Sequence, residues 1–118
     1  MAWMERNRER RTHPEQVLPG VQSVVVLAMN YWQGPEPPRT GHGPHGRIAR
    51  YAWNDDYHDL ILPRLRQIDA FLASHGGSQR YYVDTGPVLE RDYAALASIG
   101  WHGKSTMLIS PKLGTWFF

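Results

Sequence analysis

The residue with the clearest chemical potential is Asp84, which opens the stretch Asp84-Thr85-Gly86-Pro87. It follows a short apolar run and precedes a helical pattern, so the sequence predicts a strand-to-helix turn with Pro87 at the first helical position. Open sheets bind ligands beyond the carboxyl ends of their strands, and a carboxyl group buried there can act as a general acid. The alternative, which position alone favours at least as much, is that Asp84 caps the helix beginning near Pro87.

A second group lies in Asp56-Tyr57-His58, where three side chains able to exchange protons are adjacent. If this segment is extended, Asp56 and His58 share one face and Tyr57 points the other way. The alternative is the polar start of a helix. Glu90-Arg91 lies beside the aspartate turn, and the alternative there is a surface ion pair of little energetic weight.

Two further patterns do not define a site. Residues 103–106, Gly-Lys-Ser-Thr, begin like a phosphate-binding loop, but Ser98 stands where that motif needs its first glycine, and a strand pattern follows. Lys104 and the neighbouring glycine backbone can still hold an anion. His42 and His45 have no carboxylate or cysteine at ligand spacing, and the chain has no cysteine, so no metal site is predicted.

Hydrophobic spacing predicts the elements that must position these groups. Ile61, Leu65 and Leu72 recur at helical intervals, and Pro63 must then lie in the first turn of that helix. A valine-rich run over 23–29 is typical of a strand buried on both faces. The full set comprises helices over 59–74 and 88–98 and strands over 23–29, 81–83 and 106–109. This order favours an α+β fold, α/β-like, in which a central sheet is covered by helices.

Length and composition limit the possible functions. The 118 residues, 42% hydrophobic and 20% charged, suit one globular domain and exclude a wholly disordered chain. No apolar run approaches the roughly 20 residues of a membrane-spanning helix and no secretory signal is visible, so a cytoplasmic protein is expected. A formal net charge of +2 is too small to indicate nucleic-acid binding. Four arginines crowd the start, either as a solvated helix face or as a phosphate contact: Arg6, Arg8, Arg10 and Arg11.

The end of the chain carries an apolar segment without polar residues after it. The last three residues are Trp116-Phe117-Phe118, and a natural domain rarely leaves such a patch uncovered. The expectation is a fragment cut at its C-terminus, and also at its N-terminus, where a helical pattern starts without a cap.

Several blocks, in the same order, resemble the N-terminal domain of the epoxyqueuosine reductase family. The most specific is Tyr82-Val-Asp84-Thr-Gly-Pro87-Val-Leu-Glu90-Arg91. The others lie within residues 13–20, 24–31, 50–58, 100–104 and 114–118. They include Leu-Pro-Gly, Asn-Tyr, Arg-Tyr-Ala, Asp-Tyr-His, Gly-Trp-His-Gly-Lys and Gly-Thr-Trp-Phe-Phe, and together they cover nearly the whole chain.

The resemblance implies a cobalamin-binding domain of an enzyme that reduces epoxyqueuosine in the tRNA anticodon loop to queuosine, with the epoxide oxygen leaving as water. It also implies two 4Fe–4S clusters, an external electron donor and a monomer in the cytoplasm. Asp84 matches the aspartate that protonates the departing oxygen, and Tyr57 matches a second polar group of the same pocket. The positions that would surround the cofactor or the tRNA fall on Arg11, Asp84, Glu90, Arg91 and Lys104.

The sequence departs from the family pattern in several respects. Asn54-Asp55 replaces a usual Gly-Arg, and Gly86 and Ser98 replace an alanine and a glycine. The family's cluster cysteines lie beyond position 118, in a ferredoxin-like part. Residues 1–118 are therefore expected to form a partial cobalamin-binding domain without reductase activity of its own. The alternatives are a corrinoid- or RNA-binding module without catalysis, and a corrinoid reductase like the reductive dehalogenases.

Overall fold

Within the residues that the structure describes, three helices, two short 3₁₀ turns and one β-hairpin make up the regular structure. The computed structural model describes residues 5, 7–35, 43 and 46–118. Arg6, His42 and His45, considered above, lie outside these residues. Along the chain the elements are α1 Arg8–Thr12, 3₁₀ turns at Pro14–Gln16 and Arg50–Ala52, α2 Tyr57–Ser74, α3 Glu90–Leu96, β1 Trp101–His102 and β2 Leu108–Ile109. None of the helices in the described part of the chain has the length and hydropathy needed to cross a membrane.

The long helix α2 confirms the prediction from hydrophobic spacing and begins two residues earlier. It starts there because the Asp56 carboxylate accepts a hydrogen bond from the backbone N–H of His58. Pro63 is consequently the seventh helical residue, so its predicted place in the first turn is wrong. The helix ends where Gly76 adopts φ +81° and the N–H of Gly77 reaches the carbonyl of Leu72 at 3.0 Å. This is a Schellman ending, which a left-handed glycine favours.

The predicted buried strand over 23–29 is wrong. This segment forms no regular strand, and Val25 and Leu27 are 73% and 54% exposed. Regular pairing begins only at its end, where Met29 and Phe118 exchange backbone hydrogen bonds of 3.2 and 2.9 Å. Residues 29–31 therefore lie antiparallel to residues 116–118.

The other small elements surround a modest core. Strands β1 and β2 pair antiparallel with Trp101 opposite Ile109, and α3 packs against both strands. Ala94 on α3 and Leu108 on β2 are the buried apolar residues of the described chain. The predicted helix over 88–98 and strand over 106–109 are thus confirmed in shorter form, whereas 81–83 is not a strand.

The fold class is accordingly helices with a small antiparallel sheet. This agrees with α+β in its coarse sense. Within the described residues, however, the sheet has two strands and does not form the central layer covered by helices that the sequence predicted.

The end of α3 leads to a stability prediction. Ser98 has φ +61°, with its N–H bonded to Ala95 and the N–H of Ile99 bonded to Ala94, both at 3.0 Å. This Schellman geometry strains any residue with a Cβ. We expect Ser98→Gly to raise the free energy of unfolding by about 1 kcal/mol, measured by urea denaturation. Ser105→Gly is the control, since Ser105 has no positive φ; equal effects of the two substitutions would contradict the prediction.

Candidate functional site

Asp84 occupies a tight three-residue turn rather than a helix cap. The N–H of Thr85 reaches the carbonyl of Val83 at 2.6 Å, and Asp84 between them has φ +56°. Helix α3 begins only at Glu90, with Leu89 at its N-cap and no side-chain cap. The capping alternative for Asp84 is therefore wrong. A non-glycine residue held in this left-handed turn is the kind of backbone strain that gathers at functional sites.

Tyr57, the first residue of α2, contacts Asp84. Its hydroxyl donates a hydrogen bond to Asp84 Oδ2, and its ring stacks on Phe118 at a centroid distance of 4.3 Å. The bond to the Asp84 carboxylate raises the pKa of Tyr57 to about 12. Tyr57 is therefore a fixed hydrogen-bond donor at neutral pH, and the structure brings together the two residues predicted to be catalytic.

Asp56 and His58 form a separate pair at the start of α2, which is helical and not extended. The extended arrangement is wrong, and the helix-start alternative is confirmed. Asp56 Oδ1 accepts from the His58 backbone N–H at 2.9 Å and lies 2.7 Å from His58 Nδ1. The backbone hydrogen bond from His58 is the main cause that lowers the pKa of Asp56, and the side-chain bond to Asp56 raises the pKa of His58.

These shifts predict a pH window for the stability of this helix start. The lowered pKa of Asp56 contributes stability that is present above about pH 4 and is lost as pH falls through its folded value. The raised pKa of His58 contributes stability that is present below about pH 6.5 and is lost as pH rises through its folded value. The difference in Tm between the wild type and Asp56→Asn, which keeps a capping side chain, should peak between these limits. A difference independent of pH would contradict the prediction.

Glu90 and Arg11 complete the cluster around Asp84. Glu90 Oε1 accepts a hydrogen bond from the backbone N–H of Asp84 at 3.1 Å. Burial is the main cause that raises the pKa of Glu90, the Asp84 charge adds to it, and Arg11 opposes it. Tyr57, Asp84, Glu90 and Arg11 therefore share one electrostatic environment.

Arg91 and Lys104, which the sequence predicted to bind the cofactor or the tRNA, lie near the β-hairpin instead. Arg91 Nη1 donates to the carbonyl of Thr106 at 2.7 Å, and Lys104 is exposed in the turn between β1 and β2. Glu90 and Arg91 point to different partners, so the alternative of a surface ion pair between them is wrong. Arg91 and Lys104 give this end of the molecule positive charge rather than completing the Asp84 cluster.

An open groove of about 660 Å³ has Tyr57 in its lining. Aromatic rings and amide groups dominate its lining, which includes Tyr31, Tyr51, Trp53, Tyr57 and Phe118 together with Asn30, Gln33 and Asn54. The sequence did not assign Phe118 to the site; its only signal was the unbalanced run of three aromatic residues at the end of the chain. No three potential metal-ligand side chains gather in the parts of the chain that the structure covers.

Comparison with known proteins identifies the family. A strained acid held by a tyrosine beside an aromatic groove suits a protein that carries out acid–base chemistry on a bound ligand. A family model described as "Epoxyqueuosine reductase QueG, DUF1730" matches residues 11–85. This is more than half of the chain, and the chain therefore belongs to that family.

Individual relatives agree with the family assignment. The chain is 38% identical over 120 residues to the epoxyqueuosine reductase of Synechocystis sp., and 41% identical over 118 residues to that of Synechococcus sp.. It aligns over 100% and 98% of its own length but spans only 40% and 35% of theirs. A crystal structure of a selenomethionine-labelled epoxyqueuosine reductase matches 93% of the chain and 30% of that protein, with a TM-score of 0.73 and 30% identity.

Proposed function

We propose that the chain is the acid-supplying part of an epoxyqueuosine reductase, which converts epoxyqueuosine in the anticodon loop of tRNA to queuosine. The observation that carries the proposal is the hydrogen bond from the Tyr57 hydroxyl to the Asp84 carboxylate, in a chain whose relatives bear that name.

The overall reaction requires protons at a defined atom. Converting an epoxide to an alkene and water takes two electrons and two protons, and both protons end on the oxygen that leaves. Protonating that oxygen as its C–O bond breaks avoids an alkoxide, and a positioned acid accelerates such a step by about 10²–10⁴-fold. Asp84 is the proposed acid. It is exposed, so the buried setting that the sequence predicted for this carboxyl group is wrong, and the proposal rests on its hydrogen bond with Tyr57.

Tyr57 organises this acid. Its hydroxyl donates to Oδ2 of Asp84, so Oδ1 is the oxygen that we propose faces the departing epoxide oxygen. Because its high pKa keeps Tyr57 protonated, the tyrosine donates throughout the reaction and does not compete for the proton. Stacking on Phe118 and on the His58 ring, both at 4.3 Å, fixes the direction of its hydroxyl.

The lining of the groove fits a corrinoid. Cobalamin is a flat macrocycle rimmed with amides and carries a phosphate in its tail. The open groove offers aromatic faces to such a ring and the side-chain amides of Asn30, Gln33 and Asn54 to its rim. Arg11, Arg91 and Lys104 would meet the phosphate tail or the tRNA backbone. Asp84 and Glu90 are not among the residues that line the groove, and Tyr57, which does line it, connects it to Asp84. When bound, cobalamin supplies the reducing electrons through a low-valent cobalt.

The proposed electron supply lies outside this chain. The family resemblance implies two 4Fe–4S clusters fed by an external donor, and cluster ligands are usually cysteine thiolates. The 118 residues contain no cysteine, so such ligands would have to come from a ferredoxin-like part that these residues do not include.

A chimera tests the proposal. This chain would replace the matched 120-residue stretch of the Synechocystis reductase, and the chimera would be expressed in bacteria that lack their own epoxyqueuosine reductase. We expect queuosine to appear in digested tRNA by mass spectrometry, as it does with the unmodified Synechocystis enzyme. A chimera that accumulates and binds cobalamin but leaves only epoxyqueuosine would refute the proposal.

A further inference from the structure

We propose that Glu90 is the positioning residue that holds Asp84 in its strained turn and so aims the carboxyl group of the acid. This inference rests on the proposed function, because it assigns a role to the residue that supports the proposed acid.

The turn at Asp84 leaves one backbone group without a backbone partner. The short hydrogen bond of the turn joins Val83 and Thr85. The N–H of Asp84 itself has no backbone acceptor among the described residues. Glu90 Oε1 accepts that N–H at 3.1 Å. A residue with φ +56° relaxes readily to an ordinary conformation unless its surroundings hold it. The Glu90 bond holds the backbone of Asp84, whereas the Tyr57 hydroxyl holds its carboxylate.

Glu90 is itself anchored. It is the first residue of α3, the helix that carries the buried Ala94 and packs against both strands. Residues 85–89 form the loop that joins Asp84 to Glu90. Gly86 in this loop is buried, and a methyl group there would come within 2.7 Å of Tyr82 Cβ. The Asp84–Glu90 bond therefore ties a strained turn to a packed element through a loop with little free space.

Glu90 could act on Asp84 through its negative charge or through its hydrogen bond, and these two roles predict different behaviour of Glu90 variants. Tyr57, Asp84 and Arg11 all lie close enough to influence Glu90 or to be influenced by it. If Glu90 acted only through its charge, Gln would behave like Ala. If it holds the Asp84 N–H, Gln keeps the acceptor and should behave like the wild type, whereas Ala and the shorter Asp should not.

The ionisation of Tyr57 reports whether Asp84 is held in place. In the 118-residue chain with ¹³C-labelled tyrosine, the Tyr57 signal can be assigned among the six tyrosines by its loss in Tyr57→Phe. With a pKa of about 12, only about 3% of Tyr57 is ionised at about pH 10.5, compared with about three quarters at an ordinary tyrosine pKa. We expect the ionised fraction to rise at least about tenfold in Glu90→Ala and Glu90→Asp, and to stay within about twofold of the wild type in Glu90→Gln.

Three results would overturn the role of Glu90: a wild-type fraction in Glu90→Ala, an equal rise in Glu90→Gln and Glu90→Ala, or a wild-type fraction in Glu90→Asp. The Asp variant retains a carboxylate at the start of α3, so it keeps the test decisive if the Ala variant does not fold. Failure of the proposed function would appear elsewhere, as a chimera that binds cobalamin but does not form queuosine, and leaves this measurement unaffected.

Discussion

Replacing Asp84 with Asn is expected to slow queuosine formation by about 10²–10⁴-fold in the chimeric reductase, the range that a general acid contributes. The amide has the shape of the acid and can still accept the hydrogen bond from Tyr57, but it has no acidic proton to give to the departing oxygen. Asn also tolerates the left-handed φ of +56°, so the turn should survive. The measurement is single-turnover conversion of epoxyqueuosine-containing tRNA, with cobalamin content read from its visible absorption.

A matched substitution separates chemistry from folding. Asp92 is an exposed carboxylate on α3 whose partner is His102 at 3.3 Å, and Asp92→Asn should keep the rate within about twofold, as surface substitutions usually do. Both variants should bind as much cobalamin as the unmodified chimera. If Asp84→Asn reacts as fast as Asp92→Asn, Asp84 is not the proton donor and the site must draw its acid from elsewhere.

Local signals in the sequence predicted local structure well. Helix α2 was found because its apolar spacing lies within the segment that it defines. Its start was placed two residues late, because the N-cap at Asp56 was not recognised from the sequence. The run over 23–29 was misassigned for the opposite reason. A strand buried on both faces is defined by its neighbours, and within the described residues only the end of the run, at Met29, finds a backbone partner, in Phe118.

The same distinction applies to the site. Tyr57 and Asp84 were both identified, the first through a motif and the second through its turn, but their contact spans 27 positions and no local pattern encodes it. Phe118 was overlooked because stacking on Tyr57 depends on the chain end lying beside residues 29–31. The positive φ of Asp84 could not be foreseen either, since the sequence there reads as an ordinary strand-to-helix turn.

The second large effect is expected at Gly100, where α3 leads into β1. A Cβ built on Gly100 would lie against the backbone of β2, reaching the carbonyl carbon of Ile109 at 2.8 Å and the nitrogen of Ser110 at 3.1 Å. Because the backbone of a paired strand cannot rotate away, Gly100→Ala must push the two strands apart. We expect it to lower the free energy of unfolding of the chain by about 2–3 kcal/mol, measured by urea denaturation.

Gly103, in the same hairpin, offers a matched control for this prediction. A Cβ on Gly103 would approach the Ile109 side chain, with Cδ1 at 2.7 Å and Cγ1 at 3.3 Å, and the carbonyl oxygen of Met107 at 3.3 Å. The side-chain tip can change rotamer at small cost, and the contact with the oxygen needs a shift of only a few tenths of an ångström. Gly103→Ala should therefore cost less than about 1 kcal/mol. The contrast isolates the close contact with the backbone of β2, since both variants add one methyl group and remove the same chain flexibility. Equal losses in the two variants would mean that the strand pairing of Ile109 yields as easily as its side chain, and that Gly100 is not needed for the close approach of β1 and β2.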